Sequence, residues 1–222
     1  MPLHRLLHRP LICPLILAVG LSAAHAQTAW DETVSGDFSN AGLSPTSVSL
    51  QLGSNLVKGA TGRIAGVVDR DYFSFTLPAG WQLDTLTVLP GTGFAGSSPV
   101  GFMGVQAGPQ VTVNPTGGSA TGLLGWLHYS ENDVGTDILG LLGIGFGASG
   151  FVTPLPAGTY SFWVQDTATG SAPYNFDFSV SAVPEASSAG LLLAGLAAGM
   201  GWRSLRLPRR RLHNNKPTCP PV

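Results

Sequence analysis

Residues 71–77 read Asp-Tyr-Phe-Ser-Phe-Thr-Leu, and this alternation of apolar and polar side chains decides the fold class. Two later stretches repeat the pattern, at residues 160–165 (YSFWVQ) and 174–180 (YNFDFSV). Successive side chains of a β-strand point to opposite faces, so each stretch is expected to bury one face against a common core. The expected buried set is Phe73, Phe75, Leu77, Tyr160, Phe162, Val164, Tyr174, Phe176, Phe178 and Val180. Antiparallel strands that pack on one core fit this pattern.

Shorter strand candidates fill much of the chain between residues 27 and 182, separated by glycine, proline, asparagine and serine. These candidates are Val48–Leu52, Leu83–Leu89, Val100–Gln106, Gln110–Val113 and Leu123–Tyr129. No long stretch before residue 186 shows a helical period. The sequence therefore predicts an all-β ectodomain at residues 27–182, an antiparallel β-sandwich of jelly-roll-like form.

The first 26 residues have the anatomy of a secretory signal peptide. A basic start precedes an apolar core from Leu11 to Leu21. Ala24 and Ala26 form a small-x-small cleavage site, so the mature chain is expected to begin at Gln27. The secretion machinery is therefore the first expected partner, and a retained N-terminal anchor is the alternative.

Charge and cysteine content exclude several classes of partner and site. Residues 27–182 carry three basic and eleven acidic side chains, a net charge of −8. Nucleic acid and anionic membranes bind basic faces, so neither is expected as a partner. Cys13 lies in the signal peptide and Cys219 near the end of the chain, so the ectodomain contains no cysteine. Disulfides, thiolate metal sites and a cysteine nucleophile are thereby excluded for this domain.

The C-terminal end of the chain holds three elements in order: Val183-Pro184-Glu185, an uncharged run from Ala186 to Trp202, and a cluster of arginines. As a helix, the 17-residue run would be about 25 Å long, close to the lower limit for spanning a bilayer. Basic residues after such a helix stay on the cytoplasmic side and would orient the ectodomain outward. These topology residues are Arg203, Arg206, Arg209, Arg210 and Arg211.

This order of elements, at residues 183–211, resembles the PEP-CTERM sorting signal of Gram-negative bacteria, which an exosortase recognises and removes. The resemblance implies a transmembrane helix at residues 186–202, a cytoplasmic tail at residues 212–222, and a transient stay of the precursor in the inner membrane. It further implies a mature protein at the cell surface or in the extracellular matrix of a biofilm, with the exosortase and exopolysaccharide as partners. A permanent C-terminal membrane anchor is the alternative.

Two patches of the ectodomain resemble bacterial pre-peptidase C-terminal domains, which are β-sandwich modules of secreted proteins. The first patch is residues 69–75 with the Leu-Pro-Ala-Gly turn at residues 77–80. The second is residues 156–160 followed by residues 174–176. Such modules perform no catalysis themselves, so the resemblance implies a fold and indicates no ligand.

The side chains that could support catalysis do not form a recognisable motif. His128 is the only histidine between residues 27 and 182, and no Gly-x-Ser-x-Gly elbow accompanies it. A His-Glu-x-x-His pair and a phosphate-binding glycine loop with lysine are also missing from the sequence. A lone histidine beside Trp126 and Tyr129 is more often a packed or surface residue. We therefore expect no enzyme, and a secreted hydrolase that uses His128 is the third hypothesis.

Two acidic pairs are the candidates for a calcium site. Asp69 and Asp71 lie at strand spacing, so both carboxylates leave the same side of the backbone and suit an oxygen-liganded cation. Asp133 and Asp137 flank Gly135 in a second acidic loop. The simpler interpretation is that these acids solvate strand ends and turns, so no cofactor is required.

Aromatic side chains are the candidates for a carbohydrate site. Trp81, Trp126, Tyr129 and Trp163 offer flat faces to sugar rings, although the cores of sandwiches also use tryptophan. Trp163 falls on the polar face of its strand and is expected to be exposed for stacking.

The expected function is that of an exported, non-catalytic surface or matrix protein with a structural or adhesive role. A calcium-dependent carbohydrate-binding module is the alternative.

Overall fold

The computed structural model describes residues 26–97 and 99–183, which form nine strands and very little helix. The strands are β1 Gln27–Asp31, β2 Thr46–Ser47, β3 Gly53–Ile64, β4 Val67–Leu77, β5 Trp81–Val88, β6 Val100–Ala107, β7 Gly125–Ser130, β8 Gly158–Gln165 and β9 Gly170–Ala182. The helical elements are α1 Glu32–Ser35, a 3-10 turn Glu131–Asp133 and α2 Leu139–Leu142. Within the described ranges, these helices are too short to span a bilayer.

The strands pair in the order β5-β9-β3-β4-β8-β6-β7, and all pairings along this path are antiparallel. Strands β1 and β2 add in parallel to β3 and β4. Strand β4 pairs with β3 at residues 67–69 and with β8 from Arg70 to Leu77. This change of partner curls the sheet over its own inner face. The prediction of an antiparallel all-β domain is confirmed, and the two packed faces belong to one curled sheet rather than to two separate sheets.

The inner face holds the side chains that the alternating sequence pattern predicted. All members of the expected buried set are 6% exposed or less. The Phe178 ring meets the Phe73, Phe75 and Phe162 rings edge-on, at centroid distances between 5.3 and 6.0 Å. Edge-to-face contact is a favoured geometry for aromatic pairs. These rings therefore join β9 in one half of the sheet to β4 and β8 in the other half.

Two of the shorter strand predictions are wrong. Residues 48–52 and 110–113 form no strand, whereas β3 spans 12 residues that the sequence pattern did not indicate. Strand β3 reads GSNLVKGATGRI, and its three glycines interrupt the alternation. It is held instead by a long antiparallel pairing with β9, from Gly53 to Gly62. Pairing with a distant strand thus outweighs the poor local pattern.

The outer face of the sheet carries a second, small apolar cluster. It consists of Tyr72, Val111 and Trp163, with Phe102 and Val113 packed against it. Residues 110–113 cross this face, and the Val111 N–H donates to the Gly42 carbonyl at 2.8 Å. Trp163 is consequently only 4% exposed. The prediction that Trp163 is an exposed stacking residue is wrong, because a loop from elsewhere in the chain covers it.

Candidate functional site

A groove of about 480 Å³ lies on the outer face of strands β6, β7 and β8. Gly104 pairs with Trp126 on one side and with Trp163 on the other, so two indoles flank a position without a side chain. The Phe102 ring covers that position, 6.0 Å from the Trp126 ring and 4.5 Å from the Trp163 ring. A Cβ on Gly104 would stand 3.2 Å from the Phe102 ring. Glycine at this position therefore lets the Phe102 ring lie between the two indoles, so that the half-buried Phe102 and Trp126 rings form the floor and the buried Trp163 ring supports Phe102.

Polar side chains surround the aromatic floor of this groove. His128 and Gln165 pair with Phe102 from the two neighbouring strands, and both line the groove. The exposed His128 ring meets the Phe102 and Trp126 rings edge-on, at 5.7 and 5.5 Å. Further polar groups on the wall come from a loop before β7, and they are Asn114, Ser119 and Thr121. The groove thus combines a flat apolar floor with hydrogen-bonding groups at its rim.

The loop after α2 closes one side of the groove. The Phe146 carbonyl accepts the Trp126 indole N–H at 2.8 Å, which fixes the orientation of the indole. The Phe146 side chain itself is 92% exposed. The same loop is attached to the sheet where the Ser149 N–H donates to the Leu123 carbonyl at 3.0 Å. Trp126 is therefore held in a fixed orientation beside the groove.

A separate cluster of acids lies at one end of the core. Glu32, Asp37 and Asp71 each place a carboxylate oxygen within 4.8 Å of the others. Asp71 is fully buried, and neither of its oxygens has a hydrogen-bond partner among the described residues. The Glu32 carboxylate accepts the backbone N–H groups of Phe38, at 3.1 Å, and Ala60, at 2.8 Å. The cluster brings the buried Asp71 together with two acids that lie more than 30 positions earlier in the chain.

Burial and mutual repulsion shift the acids toward their protonated forms. Burial raises the pKa of Asp71 to about 9, and the neighbouring Glu32 carboxylate adds to this effect. Burial also raises the pKa of Glu32 to about 7, although its two backbone donors act in the opposite direction. The Tyr174 hydroxyl lies near Asp71 and lowers the pKa of that carboxyl, although the two groups do not meet with the geometry of a hydrogen bond. Ionisation of these carboxyl groups in the folded protein is therefore unfavourable in free energy.

The remaining predicted calcium candidates lie outside this cluster. Asp69 is beside Asp71 on β4, and burial raises its pKa as well. Asp133 accepts the Ser130 N–H at 2.7 Å in a capping box of the 3-10 turn. Asp137 accepts two backbone N–H groups, from Leu86 at 2.9 Å and Leu139 at 3.0 Å. Asp133 and Asp137 therefore accept backbone N–H groups and stabilise the local backbone.

Sequence reasoning identified Asp71 but missed its two partners. Glu32 and Asp37 lie more than 30 positions before Asp71 and belong to no recognisable ligand motif. The acidic pair Asp31-Glu32 was the available signal, because acids are common in the first turn of a helix. That signal indicates a helix start and says nothing about a partner on β4.

The terminal predictions fall mostly outside the described residues. Ala24 of the cleavage site, Pro184, Glu185 and the arginine cluster all lie there, as does the predicted transmembrane helix at residues 186–202. Ala26 is described and exposed. Val183 follows directly after β9, is 41% exposed, and donates its N–H to the Gly80 carbonyl at 2.7 Å. The first residue of the predicted processing motif is therefore attached to the folded domain.

The fold and site define an antiparallel all-β domain with an aromatic outer groove. No model of a known protein family and no curated protein matches the sequence. Among solved structures, the chain is similar to PliG of Salmonella Typhimurium, a periplasmic inhibitor of g-type lysozyme. The two sequences are 14% identical, and the match covers 61% of this chain and 98% of that chain with a TM-score of 0.29. A similarity of this size assigns no function to the present chain.

Proposed function

We propose that this chain is an exported, non-catalytic protein of the cell surface or exopolysaccharide matrix that adheres to polysaccharide. The observation that carries the proposal is the groove floored by the half-buried rings of Phe102 and Trp126, with the buried Trp163 ring packed against Phe102. Aromatic faces bury the apolar face of a sugar ring at little entropic cost, because the rings are already held by their neighbours. The amide, hydroxyl and imidazole groups at the rim supply hydrogen bonds to sugar hydroxyls.

The surroundings of His128 favour binding over hydrolysis. Its ring packs against the Phe102 and Trp126 rings, and within the described ranges its nitrogens form no hydrogen bond with an acid or a serine. A general base needs an orienting partner and a nucleophile within hydrogen-bond reach. His128 therefore suits a wall of the groove better than a catalytic role.

The net charge of the domain limits which polysaccharides it can bind. The domain carries a net charge of −8, so it repels polyanions and favours neutral or basic polysaccharides. None of Glu32, Asp37 and Asp71 lines the groove. Asp71 belongs to the inner face of β4, whereas the groove lies on the outer face of the sheet. A cation at the acid cluster would thus not bridge the protein to a sugar in the groove, and we favour direct stacking over a calcium-dependent mode.

We also propose that the chain is sorted through its C-terminal signal. An exosortase would act at Val183-Pro184-Glu185 while the apolar run at residues 186–202 spans the inner membrane. Strand β9 ends at Ala182, so cleavage there would leave all nine described strands in the released protein. The matrix polysaccharide would then become the partner of the released protein.

Glycan-array binding by the exported protein tests the proposal. We expect retention on neutral polysaccharide, and a loss of about tenfold or more in affinity for Trp126→Ala, which removes part of the floor. Thr121→Trp should block the groove from its exposed rim without removing any core contact. Trp81→Ala, at a half-buried tryptophan on β5, is the matched control and should bind as wild type. Unchanged binding by both groove variants, or no glycan bound by the wild type, would contradict the proposal.

A further inference from the structure

The acid cluster at the end of the core has the properties of a metal site. We propose that Glu32, Asp37 and Asp71 bind one divalent, oxygen-liganded cation, and that calcium is the ion whose size fits their spacing. This site is independent of the glycan groove, so failure of either proposal leaves the other untouched.

The spacing of the carboxylates is close to that of ligands around a calcium ion. The ligand oxygens lie within 4.8 Å of one another. Three oxygens spread around one calcium ion, at about 2.3–2.6 Å each, are about 4.0–4.5 Å apart, whereas three oxygens around magnesium at about 2.1 Å are about 3.6 Å apart. Calcium therefore needs at most a small shift of these side chains to contact all three, and all three ligands are the hard oxygen donors that it prefers.

Two buried polar groups without partners converge on the cluster. Both carboxylate oxygens of the fully buried Asp71 lack a hydrogen-bond partner among the described residues. The Tyr174 hydroxyl, on β9, also has none there, although the residue is only 2% exposed. This hydroxyl and the Glu32 carboxyl carbon both lie closer than 3.0 Å to the position that a Cβ on Gly59 would take. Buried polar groups in proteins are nearly always hydrogen-bonded. The unpaired Asp71 oxygens and Tyr174 hydroxyl therefore indicate a ligand between the acids.

The repulsion among the three carboxylates also favours a bound cation. Of the basic side chains in the described ranges, only Lys58 forms an ion pair, and its partner is Asp31 at 3.9 Å. Three carboxylates thus face one another with no cationic side chain to offset their repulsion. Either protons or a metal ion must offset this repulsion. A divalent cation neutralises the cluster and at the same time supplies a partner for the buried oxygens of Asp71.

A cation can reach the cluster from solvent, and its ligands are partly organised in advance. A cavity of about 340 Å³ is lined by Glu32, Gly59 and Tyr174 among others, and Asp37 is itself exposed. The Glu32 carboxylate is held by two backbone N–H groups, so it would lose little freedom on binding. Glu32 and Asp37 belong to the N-terminal segment and Asp71 to β4. The cation would therefore tie that segment to the sheet.

Calcium titration of the chelator-stripped exported protein tests the site directly. Isothermal titration calorimetry with calcium chloride should show one ion bound per chain. Thermal unfolding should shift upward by about 5 °C or more when calcium is a hundredfold above its Kd, because the ion binds the folded state alone. Magnesium at the same concentration should give a smaller shift.

Three variants separate a metal site from a cluster of protonated acids. Asp71→Asn and Glu32→Gln should lose the calcium-dependent shift and the binding heat. In chelator, Asp71→Asn should unfold at the same temperature as wild type or higher, since it replaces an unpartnered buried carboxyl. Glu131→Gln, at an exposed acid in the 3-10 turn, is the control and should respond to calcium as wild type. Absence of calcium binding by the wild type, or equal binding by Asp71→Asn, would overturn the proposal.

Discussion

Phe75 on β4 and Phe178 on β9 meet edge to face, with ring centroids 5.6 Å apart and ring planes at 76°. The two strands belong to opposite halves of the curled sheet. This contact, together with those of Phe73 and Phe162, holds the halves against each other. The stability of the domain depends on these rings, because residues 27–182 contain no cysteine for a disulfide.

A charge placed in the aromatic core should unfold the domain. Phe75→Asp and Phe176→Asp each bury a carboxylate without a partner, at residues that are 3% and 0% exposed. Both variants should lose the cooperative unfolding transition and the β-type circular dichroism of the wild type. Phe146→Asp, at a ring that is 92% exposed, is the control and should unfold as wild type. Native-like transitions for both core variants would contradict this account of the core.

The buried Asn55 side chain should be a second determinant of stability. Its amide donates to the carbonyls of Gln51, Gly53 and Phe178 at 2.8–2.9 Å, and its oxygen accepts the Gln51 N–H at 2.8 Å. Asn55→Ala leaves these groups unpaired, and it should lower the free energy of unfolding by about 2–4 kcal/mol. Denaturant titration measures the loss. Asn132→Ala, at an exposed asparagine, should change it by less than about 0.5 kcal/mol.

The metal-free domain should become less stable as the pH rises. Burial raises the pKa of Asp71 from 3.8 to about 9, so the folded state keeps a proton that the unfolded chain releases. The resulting stability is fully present below about pH 4 and is lost as the pH rises through about 9. Glu32, with a pKa raised to about 7, acts in the same direction. Urea midpoints in chelator at pH 5 and pH 8 measure the fall, and Asp71→Asn should show a smaller one.

Export should remove residues 1–26. The small residues Ala24 and Ala26 form the cleavage site, so the cell-surface form should begin at Gln27. N-terminal sequencing of that form decides the matter. An intact Met1 would show that the N-terminal segment is retained as an anchor.

Processing of the C-terminal signal should depend on the motif before the apolar run. Proline interrupts a helix and keeps the preceding residue extended, so Pro184 leaves accessible backbone for an enzyme in the membrane. Pro184→Ala combined with Glu185→Ala should leave full-length protein in the inner membrane. Replacement of the five arginines from 203 to 211 by serine should abolish retention there, because the positive charges resist translocation.

The location and apparent mass of a tagged chain, in fractionated cells with and without the exosortase, measure this processing. Wild-type chain should be shortened and released only where the exosortase is present. A tail that stays attached in both strains would make the segment a permanent anchor.

The sequence alone determined the all-β class and the composition of the inner face. A period of two is a local property of the chain, so Phe73, Phe162 and Phe178 could be assigned to the core without knowledge of their partners. The same property failed for β3, whose glycines break the period. That strand exists because β9 pairs with it along most of its length.

Only the tertiary structure decided what covers each face and which acids meet. Trp163 is buried because residues 110–113 cross the outer face, and no local pattern reveals such a crossing. Glu32, Asp37 and Asp71 converge because β1 and α1 lead the chain to the end of the core where β4 places its carboxylate. Burial and convergence are properties of contacts between residues distant along the chain, whereas side-chain periodicity is set by neighbours within it.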